Sequence, residues 1–191
     1  MTSSHHVRAA RSHPYGSVPQ AVVEATASAE HIGAAVRAVA GDPLQIGPLA
    51  AGPGGLARAD ANGHVRQVLV TRDDDADLLS YVAALDVHVT LDVAVSGRSH
   101  RYDVELMLPL RVTVTSATEH VLQSRATAPL ADDVTAVLRP HGLHARLLAK
   151  VGNVQAIVRQ EAAAHIGRRL EHDDARAAMV LPLPATGSGP R

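Results

Sequence analysis

Two stretches near the middle of the chain alternate apolar and polar residues with a period of two. From Leu85 to Val95 every odd position is apolar, while the even ones are Asp86, His88, Thr90, Asp92 and Ala94. From Tyr102 to Val114 it is the even positions that are apolar: Tyr102, Val104, Leu106, Leu108, Leu110, Val112 and Val114. Successive side chains of a strand point to opposite faces, so each run predicts a strand with one face buried. Ser96-Gly97-Arg98-Ser99 separates the runs. A hairpin folded about Gly97 and Arg98 sets Val93 opposite Tyr102, Leu91 opposite Val104, Val89 opposite Leu106 and Val87 opposite Leu108. The shared inward face is expected to be the core. Pro109 falls on the outer face and, having no N–H, marks an edge position or a bulge.

Period 3.6 governs two other regions. Ser28 can cap a helix whose apolar face is Ile32, Ala35, Val36 and Val39, with Gly41 as its stop and Pro43 just beyond. From Leu143 to about Leu170 a longer segment carries the stripe Leu147, Val151, Val154, Val158, Ala162, Ile166 and Leu170. Arg146, Lys150, Arg159, Arg168 and Arg169 are read as decorating its other faces, and Gly152-Asn153 as a kink or a split. Between these regions the Gly/Pro-rich residues 42–55 read as loop. Asn62-Gly63 reads as a hairpin turn between residues 56–61 and 64–71. The aspartates from Asp73 to Asp77 are expected to cap a short helix through Leu79 and Val82. Residues 119–128 are expected to return as a third strand, Val134–Arg139 as another, and Arg176–Leu183 as a short closing strand.

The fold class that follows is α+β: an antiparallel twisted sheet packed on a long amphipathic C-terminal helix, with a short N-terminal helix. Residues 1–20 are expected to be a flexible arm, 21–183 a single domain, and 184–191 a disordered tail.

Composition narrows the chemistry. The chain has 3 Tyr, no Phe and no Trp, so its core has to be aliphatic. Of the 18 basic side chains only Lys150 is a lysine, and the net charge of -1 gives no electrostatic reason to expect a nucleic-acid partner. Without Cys there is no disulfide framework, thiolate nucleophile or Cys-ligated zinc. No apolar run is long enough to span a bilayer and the N-terminus lacks the apolar core of an export signal, so a cytoplasmic location is expected.

No motif in the sequence carries a reaction. Gly52-Pro53-Gly54-Gly55-Leu56-Ala57 spells a dinucleotide-binding turn, but it leads into the Asn62-Gly63 hairpin rather than a helix and is read as a loop. Ser99-His100 places a nucleophile beside a base, yet neighbours on a strand face opposite ways. His141 and His144 have the i, i+3 spacing of a metal pair, with Pro140 and Gly142 interrupting and no third ligand. Neither catalytic residues, nor a metal site, nor a cofactor is assigned. His88 is expected to lie exposed near Met107.

Two long alternating strands, a return strand and a long amphipathic helix resemble the TULIP/SMP-like lipid-binding superfamily. Arg101–Pro109 (RYDVELMLP) and the segment 142–170 also look like uncharacterised actinobacterial proteins of this layout. The resemblance covers roughly residues 56–183 and implies a curved sheet around a helix, with an apolar seam between them. The expected function is that of a non-enzymatic binding protein holding an apolar or amphiphilic small molecule, such as a lipid, in that seam. Its lining would be Val89, Leu91, Val93, Tyr102, Val104, Leu106, Leu108, Leu147, Val151, Val154 and Val158. The alternative is an assembly module forming a homodimer, through an edge strand or the spare face of the long helix, without a ligand.

Overall fold

The two alternating runs form the spine of the sheet. In the computed structural model, which describes residues 15, 18–41, 43–51, 57–76, 78–95, 97–118, 121–146 and 153–184, they belong to strands β3 (Ser80–Val95) and β4 (Arg98–Thr118). The strands pair antiparallel from Ser80↔Thr113 to Val95↔Arg98, leaving Ser96-Gly97 as a two-residue connection. Gly97 has φ +78°, the left-handed conformation that such short hairpin loops require. The turn thus lies one residue earlier than the sequence suggests. Leu91, not Val93, stands opposite Tyr102, and Val89 stands opposite Val104. A slip of two residues returns every side chain to its original face. Leu85, Val87, Val89, Leu91 and Val93 are therefore buried on the same side as Tyr102, Val104, Leu106, Leu108, Leu110, Val112 and Val114.

Strand β2 (Ala57–Asp73) runs along the other edge of β3, with β1 (Leu44–Ala51) outside it. The far edge of β4 is shared. Strand β6 (Thr135–Pro140) pairs with Tyr102–Met107, and β5 (Val121–Thr127) pairs with residues 111–118. Strand β7 (Val180–Pro182) lies beyond β5, so the order is β1-β2-β3-β4-β5-β7 with β6 beside β4. Pro109 sits where β4 passes from one partner to the other, so its missing N–H falls at a break in the ladder on that side.

Several expectations are corrected. Asn62-Gly63 is not a turn: β2 runs straight through it, with Gly63 opposite Val89 on one side and Leu44 on the other. A Cβ on Gly63 would lie 2.9 Å from the His88 carbonyl oxygen and 2.9 Å from Val89 Cγ2. The glycine serves close strand approach, and pairing along 17 residues outweighs the local turn preference. Residues 44–51, read as loop, are an edge strand; Pro48 is tolerated there beside a register shift between Ile46 and Leu49. The acidic stretch after β2 caps no helix. Residues 74–75 are a turn, and β3 begins at Ser80, its pairing with β2 overriding the helical capping signal. Residues 173–178, partly assigned to a closing strand, form a helix begun by Asp173 and Asp174, and only Val180–Pro182 is strand. The Gly52–Leu56 loop, His5, His6 and the tail from 185 onward lie outside the described residues.

The helices α1 (Gln20–Thr26), α2 (Ala29–Ala40), α3 (Val154–Glu171) and α4 (Asp173–Ala178) accompany the sheet. Helix α2 follows its sequence signals. Ser28 Oγ accepts the His31 N–H at 3.3 Å, Ile32, Ala35, Val36 and Val39 are buried, and Gly41 ends it at φ +74°. Arg37 fastens α2 to β2 by donating to the Val65 and Arg66 carbonyls at 3.1 and 3.2 Å. Those carbonyls lie at the register shift between Val65 and Gln67, where the ladder leaves groups to satisfy.

The long C-terminal segment is interrupted at Asn153, in keeping with the Gly152-Asn153 break read from the sequence. Residues 143–146 are helical, 147–152 lie outside the described residues, and α3 begins after Asn153, which holds a left-handed φ of 47°. The buried face of α3 is Ala162, Ala163 and Ile166, with Val154, Val158 and Leu170 partly buried. Arg159, expected on an outer face, is half-buried instead. No helix among the described residues is long and apolar enough to cross a membrane.

Each outermost strand carries a proline: Pro48 in β1, Pro140 closing β6 and Pro182 closing β7. Gln155 Nε2 also donates to the Ala136 carbonyl of β6 at 2.6 Å. Each proline removes one donor from its edge and Gln155 engages one acceptor of β6, which hinders addition of a strand from another chain at those positions.

Candidate ligand cleft

The inner face of the sheet meets α3 around a cavity of about 20 Å³. Its walls are Val87 and Val89 from β3, Leu106 and Leu108 from β4, and Ala162 and Ile166 from α3. Leu44, Ala61 and Gly63 close it from β1 and β2, and His165 is its one titratable neighbour. Such a volume holds one water molecule at most. The walls are nevertheless almost wholly aliphatic.

Of the residues expected to line an apolar seam, the structure gathers Val89, Leu106 and Leu108 at this cavity. Leu91, Val93, Tyr102 and Val104 are buried on the same face toward the β3–β4 turn. Tyr102 is fully buried, and its hydroxyl donates to the Ala145 carbonyl at 3.2 Å. Val154 and Val158 are partly buried against the core. Leu147 and Val151 lie outside the described residues. The sequence reading missed Leu44, Ala61 and Gly63 because it gave β1 to a loop and Gly63 to a turn. It placed Ala162 and Ile166 in the helical stripe without marking them as lining, and nothing in the pattern singled out His165.

The surroundings of His165 disfavour its charged form. Burial pushes its pKa down, and the neighbouring Arg168 and Arg169 charges push the same way. The imidazole at the cavity is therefore held in its neutral form more strongly than in a free chain.

Helix α3 also borders an open groove of about 570 Å³, in which Gly167 and Leu170 face Ala126 and Ala128 at the end of β5, with Ala175 and Met179 of the α4 segment beside them. Its rim is polar, with Arg125, Glu171 and Arg176. One helix therefore forms a wall of both the small apolar cavity and the larger groove.

The convex face of the sheet carries paired charges. Asp92 accepts from Arg101 at 3.0 and 3.2 Å, Glu105 accepts from Arg139 at 3.2 Å, and Arg66 Nη2 donates to His88 Nδ1 at 2.9 Å. The register sets His88 opposite Glu105 rather than beside Met107. His141 Nε2 lies 2.7 Å from Asp103 Oδ2, and His144 is exposed. That contact is the largest influence holding the Asp103 carboxyl below its usual range. Among the described residues no three His, Asp or Glu side chains converge as metal ligands. Ser99 is exposed and His100 half-buried on β4.

Compared with protein-family models, with curated proteins and with solved structures, the chain matches none.

Proposed function

We propose that this domain is a non-enzymatic binding protein that holds an apolar or amphiphilic small molecule between the inner face of β3–β4 and helix α3. The observation that carries the reading is the aliphatic cavity under Ala162 and Ile166. At about 20 Å³ it is too small for such a guest as it stands, and a guest enters as α3 moves off the sheet. Helix α3 suits that role better than α2. Helix α2 has a side-chain cap and two Arg37 bonds onto the sheet, against the single Gln155 bond from α3 to the sheet. Helix α3 starts from a left-handed Asn153 without a side-chain cap, has no acidic residue in its first turn, and seats itself largely by alanines. The resemblance to TULIP/SMP-like folds points to the same class of ligand.

The other reading, a homodimer without a ligand, has in its favour an apolar strip on the convex face. Leu69, 48% exposed, lies in register with Ala84 and Pro109, flanked by Val82 and Met107. Against it stand the three edge prolines.

Titration with N-phenylnaphthylamine, a neutral probe that fluoresces in apolar surroundings, tests the proposal. With no Trp in the chain the protein contributes little background. Saturable one-to-one uptake is expected, and Leu106→Asp should abolish it. A linear, unsaturable signal, or no signal from folded protein, would reject ligand binding.

A further inference from the structure

Beyond the class of binding protein, α3 carries one group that its packing does not explain. The Nε of Arg159 is buried and has no hydrogen-bond partner. Helical spacing sets Arg159 on the same face as Gln155, Ala162, Ala163 and Ile166, the residues by which α3 meets the sheet and β6. A guanidinium does not shed its charge in a protein, so this N–H stays cationic where it is. Gln155, one turn earlier, is already engaged with Ala136, and the Arg169 Nε further along donates to the Val39 carbonyl at 3.3 Å. Among the described residues only Arg159 leaves a buried side-chain polar atom without a partner. Folded proteins satisfy nearly all such groups, so an exception calls for a physical reason.

We infer that Arg159 is the head-group anchor of the cleft and that the ligand class is an amphiphile ending in a carboxylate. This rests on the ligand reading above and adds the ligand's polar end to it. The Nε edge of the guanidinium carries Nε–H together with one Nη–H, a parallel pair of donors that matches the two oxygens of a carboxylate. A hydroxyl or amide head fills only one of them. Ala162 and Ile166, three and seven positions on, form the helical wall of the apolar cavity. A tail lying along α3 from Arg159 reaches that cavity about one helical turn away, roughly 5 Å. Because Nε is closed to solvent, the carboxylate reaches it only when α3 lifts, which couples recognition of the head to opening for the tail.

The experiment compares dodecanoate with dodecanol as competitors of N-phenylnaphthylamine on the full chain at neutral pH, then repeats the pair on Arg159→Met. The wild-type chain is expected to prefer dodecanoate by roughly ten- to a hundredfold, the range of a charge-assisted hydrogen bond. In Arg159→Met that ratio should fall close to unity. The melting temperature of Arg159→Met should hold or rise, because a buried cation without a partner is exchanged for an apolar chain of similar length. Equal affinities for the two compounds in the wild type, or an unchanged preference in Arg159→Met, would overturn the inference while leaving apolar binding intact. A marked fall in melting temperature would also overturn it, by showing that the guanidinium serves the fold. If neither compound displaces the probe and the probe itself does not bind, the ligand reading fails and the anchor with it.

Discussion

Tyr102, on the inner face of β4, donates its hydroxyl proton to the carbonyl oxygen of Ala145 across 3.2 Å of buried space. The other two tyrosines make comparable ties. Tyr81 donates to the Ala27 carbonyl between α1 and α2. Tyr15 donates to the Val114 carbonyl at 3.4 Å and accepts the Leu79 N–H at 2.8 Å. The three tyrosine rings are thus used where a covering segment is hydrogen-bonded to the sheet, while the buried hydrophobic side chains around them are aliphatic or Met179. Tyr102→Phe keeps the ring and strands the Ala145 carbonyl. We expect a loss of about 1–2 kcal/mol, seen as a lower urea midpoint with unchanged slope. Hydrogen exchange at residues 143–146 should quicken in the same variant. An unaltered midpoint would show that water replaces the hydroxyl.

The same burial sets an alkaline limit. Burial raises the pKa of Tyr102, and is the largest cause of the rise at Tyr81. A phenol whose folded pKa exceeds the unfolded value stabilises the fold fully below the unfolded pKa, about 10. That contribution is lost as pH climbs from there through the folded value. Stability should therefore fall above about pH 10, with phenolate absorbance appearing together with unfolding. Tyr81→Phe and Tyr102→Phe should each remove one late-ionising phenol.

His165 sets a limit on the acid side with the opposite sign. Its folded pKa lies below the unfolded value of about 6.5, so the neutral ring is the form the fold accepts. The contribution is complete above the unfolded pKa and is lost as pH falls through the folded one. The charges acting on the ring are Arg168 and Arg169 of its own helix, whereas the sheet residues walling the cavity are all apolar. Urea midpoints measured as pH drops below about 6.5 should decline in the wild type. They should decline less in His165→Gln. Equal slopes would mean that protonation of His165 is not felt by α3.

How far the sequence reveals this molecule can be judged from single residues. Alternation identified the buried face of β3 and β4 correctly even though the turn was misplaced, because a period of two fixes faces without fixing which pairs meet. Leu91 shows the limit: its face was legible, but its partner, Tyr102, depended on Gly97 occupying the second turn position. Gly63 misled because local turn preference is a short-range signal, whereas pairing with both β1 and β3 is decided by the whole sheet. Strand β1 was hidden by Pro48, which an edge strand tolerates and a central strand does not. Arg159 falls outside the apolar stripe of the sequence because that stripe drifts around α3, and only packing shows that Ala162, Ala163 and Ile166 centre the buried side.

Gly63 gives a sharp packing test. In Gly63→Ala the new methyl would stand 2.9 Å from the His88 carbonyl oxygen, a backbone atom that cannot rotate away. We expect a loss of about 1–3 kcal/mol, as in other overpacked cores. Adding Val89→Ala relieves only the contact with Cγ2, so the double variant should remain below the Val89→Ala single variant. A Gly63→Ala protein as stable as the wild type would mean that β2 and β3 can separate locally at no cost.

Leu106 distinguishes a cavity built to open from one that is merely small. Its side chain walls the cavity between β3–β4 and α3 and is only 5% exposed. Leu106→Ala removes buried methyl groups and leaves space behind, so the unliganded variant should lose about 2–4 kcal/mol. The enlarged space remains lined by Val87, Val89, Leu108 and Ile166, so it should stay dry and accept an apolar guest. Saturating N-phenylnaphthylamine should then return part of the lost stability, by an amount that grows with the logarithm of probe concentration over its Kd. If the wild-type chain takes up the probe by lifting α3, it too should gain stability, with a slower approach to saturation than the variant because opening precedes binding. If only Leu106→Ala responds, the native cavity is ordinary core and the ligand reading fails.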